Sequence, residues 1–345
     1  MIFEVNNHNI LVIIAITFLA SLLLVPVAKI VANHVGALDQ PDERKVHKKV
    51  TPRMGGLAIF ASFIIGYMLY AESSAQMLSI LMGGFLIVLT GIFDDINPIK
   101  ARYKLLLQVI SASIVVFYGG LIISEITAFG MFFRFDAPVN YIFTILFIVA
   151  IMNTINLIDG IDGLAAGVSS IYFLTIAIIA FILNKSGGLD TILALIMLGA
   201  TLGFLTHNFP PAKIFMGDTG SLFLGFMISV IALLGFKGTT LTSLIVPLLI
   251  LAIPILDTAL AIFRRVLKGE SIGSPDKEHL HHQLLKMTSS TQKTVLVIYF
   301  VNILFAAVSI LYVLGDNQIA MTIYIILMIL LLIVVLKTNI LFKHK

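Results

Sequence analysis

The chain has 345 residues, of which 59% are hydrophobic and 12% charged, with no cysteine and a formal net charge of +4. A soluble protein needs roughly 25% charged residues to cover its surface, so a soluble globular fold is excluded, as are disulfides and thiolate metal sites. What remains is a polytopic membrane protein whose charge matters by where it falls rather than by its sum.

Apolar runs near the ~20 residues that cross a bilayer as helix recur along the chain. The reading is an all-α protein of eleven spans: Ile10–Val31, Gly55–Ala71, Met77–Phe93, Tyr103–Tyr118, Val139–Met152, Leu164–Leu183, Thr191–Thr206, Ser221–Phe236, Leu241–Phe263, Thr294–Leu314 and Ile319–Leu341. No basic segment precedes the first, which reads as a permanent span and not a cleaved signal peptide. The fourth and fifth are short, as tilted or protein-covered spans are. Between them, Leu121–Ile126 and Phe129–Phe135 around Gly130 suggest a short hairpin. With no internal repeat and no low-complexity tract, residues 1–345 read as a single transmembrane domain.

Eleven spans put the termini on opposite sides. Of the 22 Lys and Arg, 19 then fall on one side, leaving only Arg134, Lys185 and Lys237 on the other. Such asymmetry makes the basic side cytoplasmic, with the N-terminus outside and the C-terminus within. Loops 32–54, 94–102, 153–163, 207–220 and 264–293 share that face. They hold every dense polar cluster, and the basic patch R-K-V-H-K-K, with Arg44 and His47, would attract anionic headgroups. No nucleic-acid partner is expected.

Four clusters carry chemistry. Asp94-Asp95 ends the third span, with Lys104 one or two turns on to offset the acids or hold a phosphate. N-T-I-N-L-I-D-G-I-D-G-L-A places Asn153, Asn156, Asp159 and Asp162 at three-residue spacing, so that the first three could converge on one side of a helix end. F-M-G-D-T-G-S puts Asp218 at a helix start, where it could equally serve as a cap. Crowded carboxylates need raised pKa values or a cation, and oxygen-only ligands favour Mg²⁺, then Mn²⁺. The H-L-H-H group, His279, His281 and His282, resembles a zinc site by count but has no acid or cysteine partner at the usual spacing. Among lysines it reads as a phosphate or sugar binder. Asp257, inside the ninth run, reads as functional by default because it is an intramembrane acid, the alternative being a pair with Arg264 or Arg265.

At these residues the sequence resembles the polyprenyl-phosphate N-acetylhexosamine-1-phosphate transferases. The resemblance runs from R-K-V-H (44–47) and P-R-M-G-G (52–56) through F-D-D (93–95), Y-K-L-L-L-Q (103–108), the Asn153–Ala165 stretch and F-M-G-D-T-G-S. It continues through P-I-L-D (254–257) and R-R-V-L-K-G (264–269) to the histidine loop. The H-x-H-H pattern favours the branch that loads GlcNAc-1-phosphate over the muramoyl-pentapeptide branch. Relatives often carry arginine where this chain has Gln283, and an amide does not replace a guanidinium fork.

The resemblance implies an eleven-span, usually dimeric, Mg²⁺-dependent enzyme of the bacterial cytoplasmic membrane. It would transfer GlcNAc-1-phosphate from UDP-GlcNAc to undecaprenyl phosphate, releasing UMP, as the first step of wall teichoic acid or a related envelope glycan. By the same resemblance Asp218 would ligate the metal, with Asp159 a second candidate. Phe215 would stack on uracil, Asp162 would read its edge, and Asp94 and Asp95 would serve the lipid phosphate. A lipid phosphate is already mostly dianionic at neutral pH, so Asp94 is expected to position more than deprotonate. A transporter would spread acids across membrane depth and show paired halves. An intramembrane aspartyl protease would want glycine where Phe215 stands.

Overall fold

The computed structural model describes residues 4–5, 8–40, 50–128, 131–183, 187–237, 245–269, 279–315 and 317–337. Its helices are α1 (Ile10–Val35), α2 (Gly56–Tyr70), α3 (Ala75–Ile96), α4 (Ala101–Ser113, continued by a π-helical turn over Ile114–Tyr118), α5 (Val139–Ile158), α6 (Leu164–Ile182), α7 (Leu189–Asn208), α8 (Gly217–Lys237), α9 (Ile245–Ile250), α10 (Ala252–Leu267), α11 (Leu280–Thr288), α12 (Thr291–Val313) and α13 (Asn317–Lys337). Nine stretches among the described residues are helical, long and apolar enough to cross a membrane. This is a multi-pass membrane protein.

The two remaining expected spans differ from that pattern. The second is the fifteen-residue α2. The ninth is split into α9 and α10 at Leu251, with residues 241–244 outside the described ones. Proline 254 lies in the first turn of α10, where its missing N–H leaves no bond unmade. Helix α5 also runs six residues further than expected, to Ile158. Neighbouring helices satisfy its polar end: Asn153 Nδ2 donates to Gln108 Oε1 of α4 at 2.8 Å, and Asn156 Nδ2 donates to Ser221 Oγ of α8 at 2.8 Å.

Among the described residues, three two-stranded ribbons interrupt the all-α reading: β1 (Glu4–Val5) with β2 (His8–Asn9), β3 (Leu38–Asp39) with β4 (Thr51–Pro52), and β5 (Glu125–Ala128) with β6 (Met131–Arg134), all antiparallel. The last is a hairpin where one was expected, but its first strand starts at Glu125 and not Leu121, with the strands in register from Glu125 opposite Arg134 to Ala128 opposite Met131.

Burial is graded across the bundle. In α8, 94% of the span window is inside the protein, against 78% in α7, 72% in α6 and 11% in α13, so α8 forms the axis and α13 the lipid-facing rim. Lipid tails are as apolar as leucine, so helix association in membranes depends on close packing. At the start of α8 a Cβ on Gly56 of α2 would lie 2.1 Å from the Gly220 nitrogen, and one on Gly91 of α3 would lie 2.3 Å from Thr219 Cα. Both helices therefore reach α8 backbone to backbone, which brings their polar ends together.

Candidate active site

Asp95 organises this junction. It lies in the last turn of α3, and its Oδ1 accepts the backbone N–H of Asp218 at 2.9 Å. Its Oδ2 accepts the Thr219 N–H at 3.1 Å and the Thr219 hydroxyl at 2.7 Å. One carboxylate from α3 thus caps the N-terminus of α8, where free N–H groups and the helix dipole favour an anion. Gly217 takes φ +71°, and a Cβ there would lie 2.3 Å from Asp95 Oδ2.

Two cations bridge the carboxylates. Arg53 places Nε 3.1 Å and Nη2 3.0 Å from Asp95 Oδ1, with Nη2 3.7 Å from Asp218 Oδ1. Lys104 of α4 lies 3.1 Å from Asp94 Oδ2 and also contacts Asp218 Oδ2. Asp94 Oδ1 accepts the Ile99 N–H at 2.9 Å. Burial works to lower the Arg53 pKa, but the carboxylates of Asp95 and Asp218 outweigh it and hold the guanidinium above its ordinary value. Arg53 arrives here because its strand segment bridges Phe215 in parallel: Phe215 N–H donates to the Pro52 carbonyl at 2.8 Å, and Gly55 N–H to the Phe215 carbonyl at 2.9 Å.

Beside this cluster opens a cavity of about 390 Å³, lined among others by Arg53, Asn156, Asp159, Asp162, Phe215, Asp218 and His282. Asp159 caps the end of α5, and among the described residues no base lies within ion-pair distance of it. Burial first, then the charges of Asp218 and Asp95, push its carboxyl well above the usual carboxylate range. The turn that follows is tied to the rest of the site. Asp162 Oδ2 accepts the Ala212 N–H at 2.9 Å, Asn208 Oδ1 accepts the Gly163 N–H at 3.0 Å, and the Tyr299 hydroxyl donates to the Gly163 carbonyl. His282 is held down at about 4 by burial and by its neighbours His281 and His279, so it enters the cavity as a neutral imidazole.

This donor set fits a hard divalent cation. Asp159, Asp162 and Asp218 offer carboxylate oxygens on the cavity wall, and an oxygen-only donor set is what Mg²⁺ takes.

Residues 77–236 match the profile of glycosyl transferase family 4. A relative from Bacillus subtilis (strain 168), "Probable undecaprenyl-phosphate N-acetylglucosaminyl 1-phosphate transferase", is 45% identical over 305 residues, covering 86% of this chain and 83% of its own length. The chain belongs to this family of polyprenyl-phosphate sugar-1-phosphate transferases. Another family member, "Decaprenyl-phosphate N-acetylglucosaminephosphotransferase" from Mycobacterium tuberculosis (strain ATCC 25618 / H37Rv), is 35% identical over 302 residues, covering 79% of this chain and 74% of its own. "Undecaprenyl-phosphate alpha-N-acetylglucosaminyl 1-phosphate transferase" from Escherichia coli (strain K12) is 30% identical over 305 residues, covering 85% and 81%.

Within this family member, the structure brings Asn156, Asp159, Asp162, Phe215, Asp218 and His282 to one cavity, with Asp94 and Lys104 joined to Asp218 beside it. Other expectations shift. Asp95 was expected to act on substrate, but its side chain is fully buried and its oxygens are engaged by Arg53, Asp218 and Thr219, so its place is structural. Asn153 does not line the cavity; its amide bonds Gln108 and the Val149 carbonyl. His279 and His281 are buried against Asp257 and do not face the cavity. Their Nδ1 atoms lie 3.2 and 3.4 Å from Asp257 Oδ2, replacing the expected pairing with Arg264 or Arg265. Arg44 and His47 lie outside the described residues. Arg53 is the site residue that sequence reading missed; its only signal was P-R-M-G-G.

Proposed function

We propose that this protein transfers GlcNAc-1-phosphate from UDP-GlcNAc to undecaprenyl phosphate, releasing UMP, and so begins wall teichoic acid or a related envelope glycan. The observation that carries it is the convergence of an aromatic ring, paired carboxylates and fixed cations on one cavity at the helix ends. The names of the relatives give the same donor group and lipid class. The charge asymmetry of the loops supports a cytoplasmic active site with the N-terminus outside.

An oxygen of the lipid phosphate forms the new bond to the sugar-linked phosphorus, and the bond from that phosphorus to UMP breaks. Phe215 offers a stacking face for uracil beside the Asp162 carboxylate. Asp218 and Asp159 would hold Mg²⁺, or Mn²⁺, which supplies neutralisation of the diphosphate. Lys104, between Asp94 and Asp218, and Arg53 set the charge around the reacting phosphates. Asp94, held by Lys104 and the Ile99 N–H, positions and orients the acceptor more than it deprotonates it. Activity of Asp94→Asn recovering steeply from pH 6 to pH 9 would contradict this.

The test is UMP release by the purified protein from a panel of UDP-sugars, with undecaprenyl phosphate as acceptor. Turnover with UDP-GlcNAc, abolished by EDTA and restored by Mg²⁺, is expected. Failure with every N-acetylhexosamine donor would overturn the reading, and preference for the muramoyl-pentapeptide donor would move it to the other branch. Since the chain has no cysteine, single-cysteine labelling of intact cells tests orientation: a cysteine at Lys185 should react with an impermeant reagent, one at Lys213 should not.

A further inference from the structure

We propose that Asp257, His279 and His281 form a tetrahedral zinc site at the junction of α10 and α11, separate from the cation position at Asp159 and Asp218. The inference stands whatever sugar the enzyme uses. The partner acid that local spacing lacked is supplied by the fold. Three potential ligand atoms, one from each residue, lie within 4.8 Å of one another. All three residues are buried, with 2%, 5% and 2% of their surface exposed.

Two of the three separations match a coordination shell, while the two imidazole nitrogens, within 4.8 Å of each other, would draw together on the ion. Ligands bound at about 2.0–2.1 Å in a tetrahedron stand about 3.3–3.4 Å apart, close to the 3.2 and 3.4 Å between each Nδ1 and Asp257 Oδ2. Yet neither Nδ1 has a hydrogen-bond partner of proper geometry among the described residues. A buried, unsatisfied polar group is costly, and a shared cation would remove that cost. The carboxylate is oriented by its other oxygen, which accepts the Leu280 N–H at 2.8 Å. Such outer bonds to a ligating group are usual in metal sites.

The remaining space selects the metal. A void of about 10 Å³ touches Asp257 and His281, but not His279, among mainly apolar side chains, and is near the minimum for one water. One water completes four-coordination. Octahedral Fe(II) on two histidines and a carboxylate needs three open positions, and Mg²⁺ wants oxygen ligands. Zinc here would fix the histidine segment so that His282 faces the nucleotide cavity. His281 Nε2 abuts the turn before Asp162, where a Cβ on Gly160 would come within 2.3 Å of it.

The full chain, purified in detergent without a histidine tag or chelator, should contain about one zinc per chain by elemental analysis, and regain it from zinc chloride after stripping. Cobalt substitution should give the intense visible bands of a tetrahedral ion. Asp257→Asn and His281→Gln should bring zinc content close to zero, while His282→Gln keeps it. Monodisperse wild-type protein that holds no zinc and takes none up would overturn the site, as would weak octahedral cobalt bands or full zinc retention in Asp257→Asn. If those variants do not fold, the wild-type zinc titration and cobalt spectrum decide alone.

Discussion

The α3–α8 junction and the α10–α11 junction both bury an acid, but they satisfy it differently. At the first, Asp95 meets the permanent cation Arg53 and the backbone N–H groups of α8. At the second, Asp257 meets two imidazoles and a single N–H. A guanidinium keeps its charge at any physiological pH, so the first junction is complete within the chain. Imidazole charge depends on a proton or a metal, so the second junction is open to its surroundings. The catalytic pocket rests on the closed junction and is flanked by the open one.

Substitutions can break this contrast. Asp95→Ala should have the largest effect, because removing one partner of a buried ion pair costs about 3–5 kcal/mol. A denaturant titration in detergent should show the loss, with activity falling alongside. Asp218→Asn should instead lower kcat by about 10²–10³-fold while the unfolding midpoint stays near wild type. If both variants lost stability equally, the division between a scaffolding acid and a cavity acid would fail. Phe215→Ala should act through binding, at about 1–3 kcal/mol for a lost base stack, seen as a raised KM for the nucleotide sugar with kcat little changed. Asp257→Asn, compared with wild type after metal stripping, should shift stability least, by about 1 kcal/mol, since the asparagine carbonyl can still accept the Leu280 N–H.

Nine of the expected spans were legible because run length alone carries them, and the cavity acids because Asp159, Asp162 and Asp218 stand out against apolar helix. Arg53 was not legible as a site residue, since its position follows from strand pairing with Phe215 far along the chain. Nor does the doublet Asp94-Asp95 reveal which acid turns toward α8; that depends on where Gly56 and Gly91 let the helices meet. The three-residue spacing of Asn153, Asn156 and Asp159 suggested one polar face. Helix packing divides it, giving Asn153 to Gln108 and Asn156 and Asp159 to the cavity.

The cap on α8 also bears on biogenesis. Its acceptor, Asp95, precedes Asp218 by 123 residues, so α3 enters the bilayer long before the helix it will terminate. Until α8 docks, the first N–H groups of that helix lack their partner, and the wall bearing Asp218 and Phe215 is not assembled. The cavity wall that bears Asp218 and Phe215 therefore forms only once α8 has docked on α3.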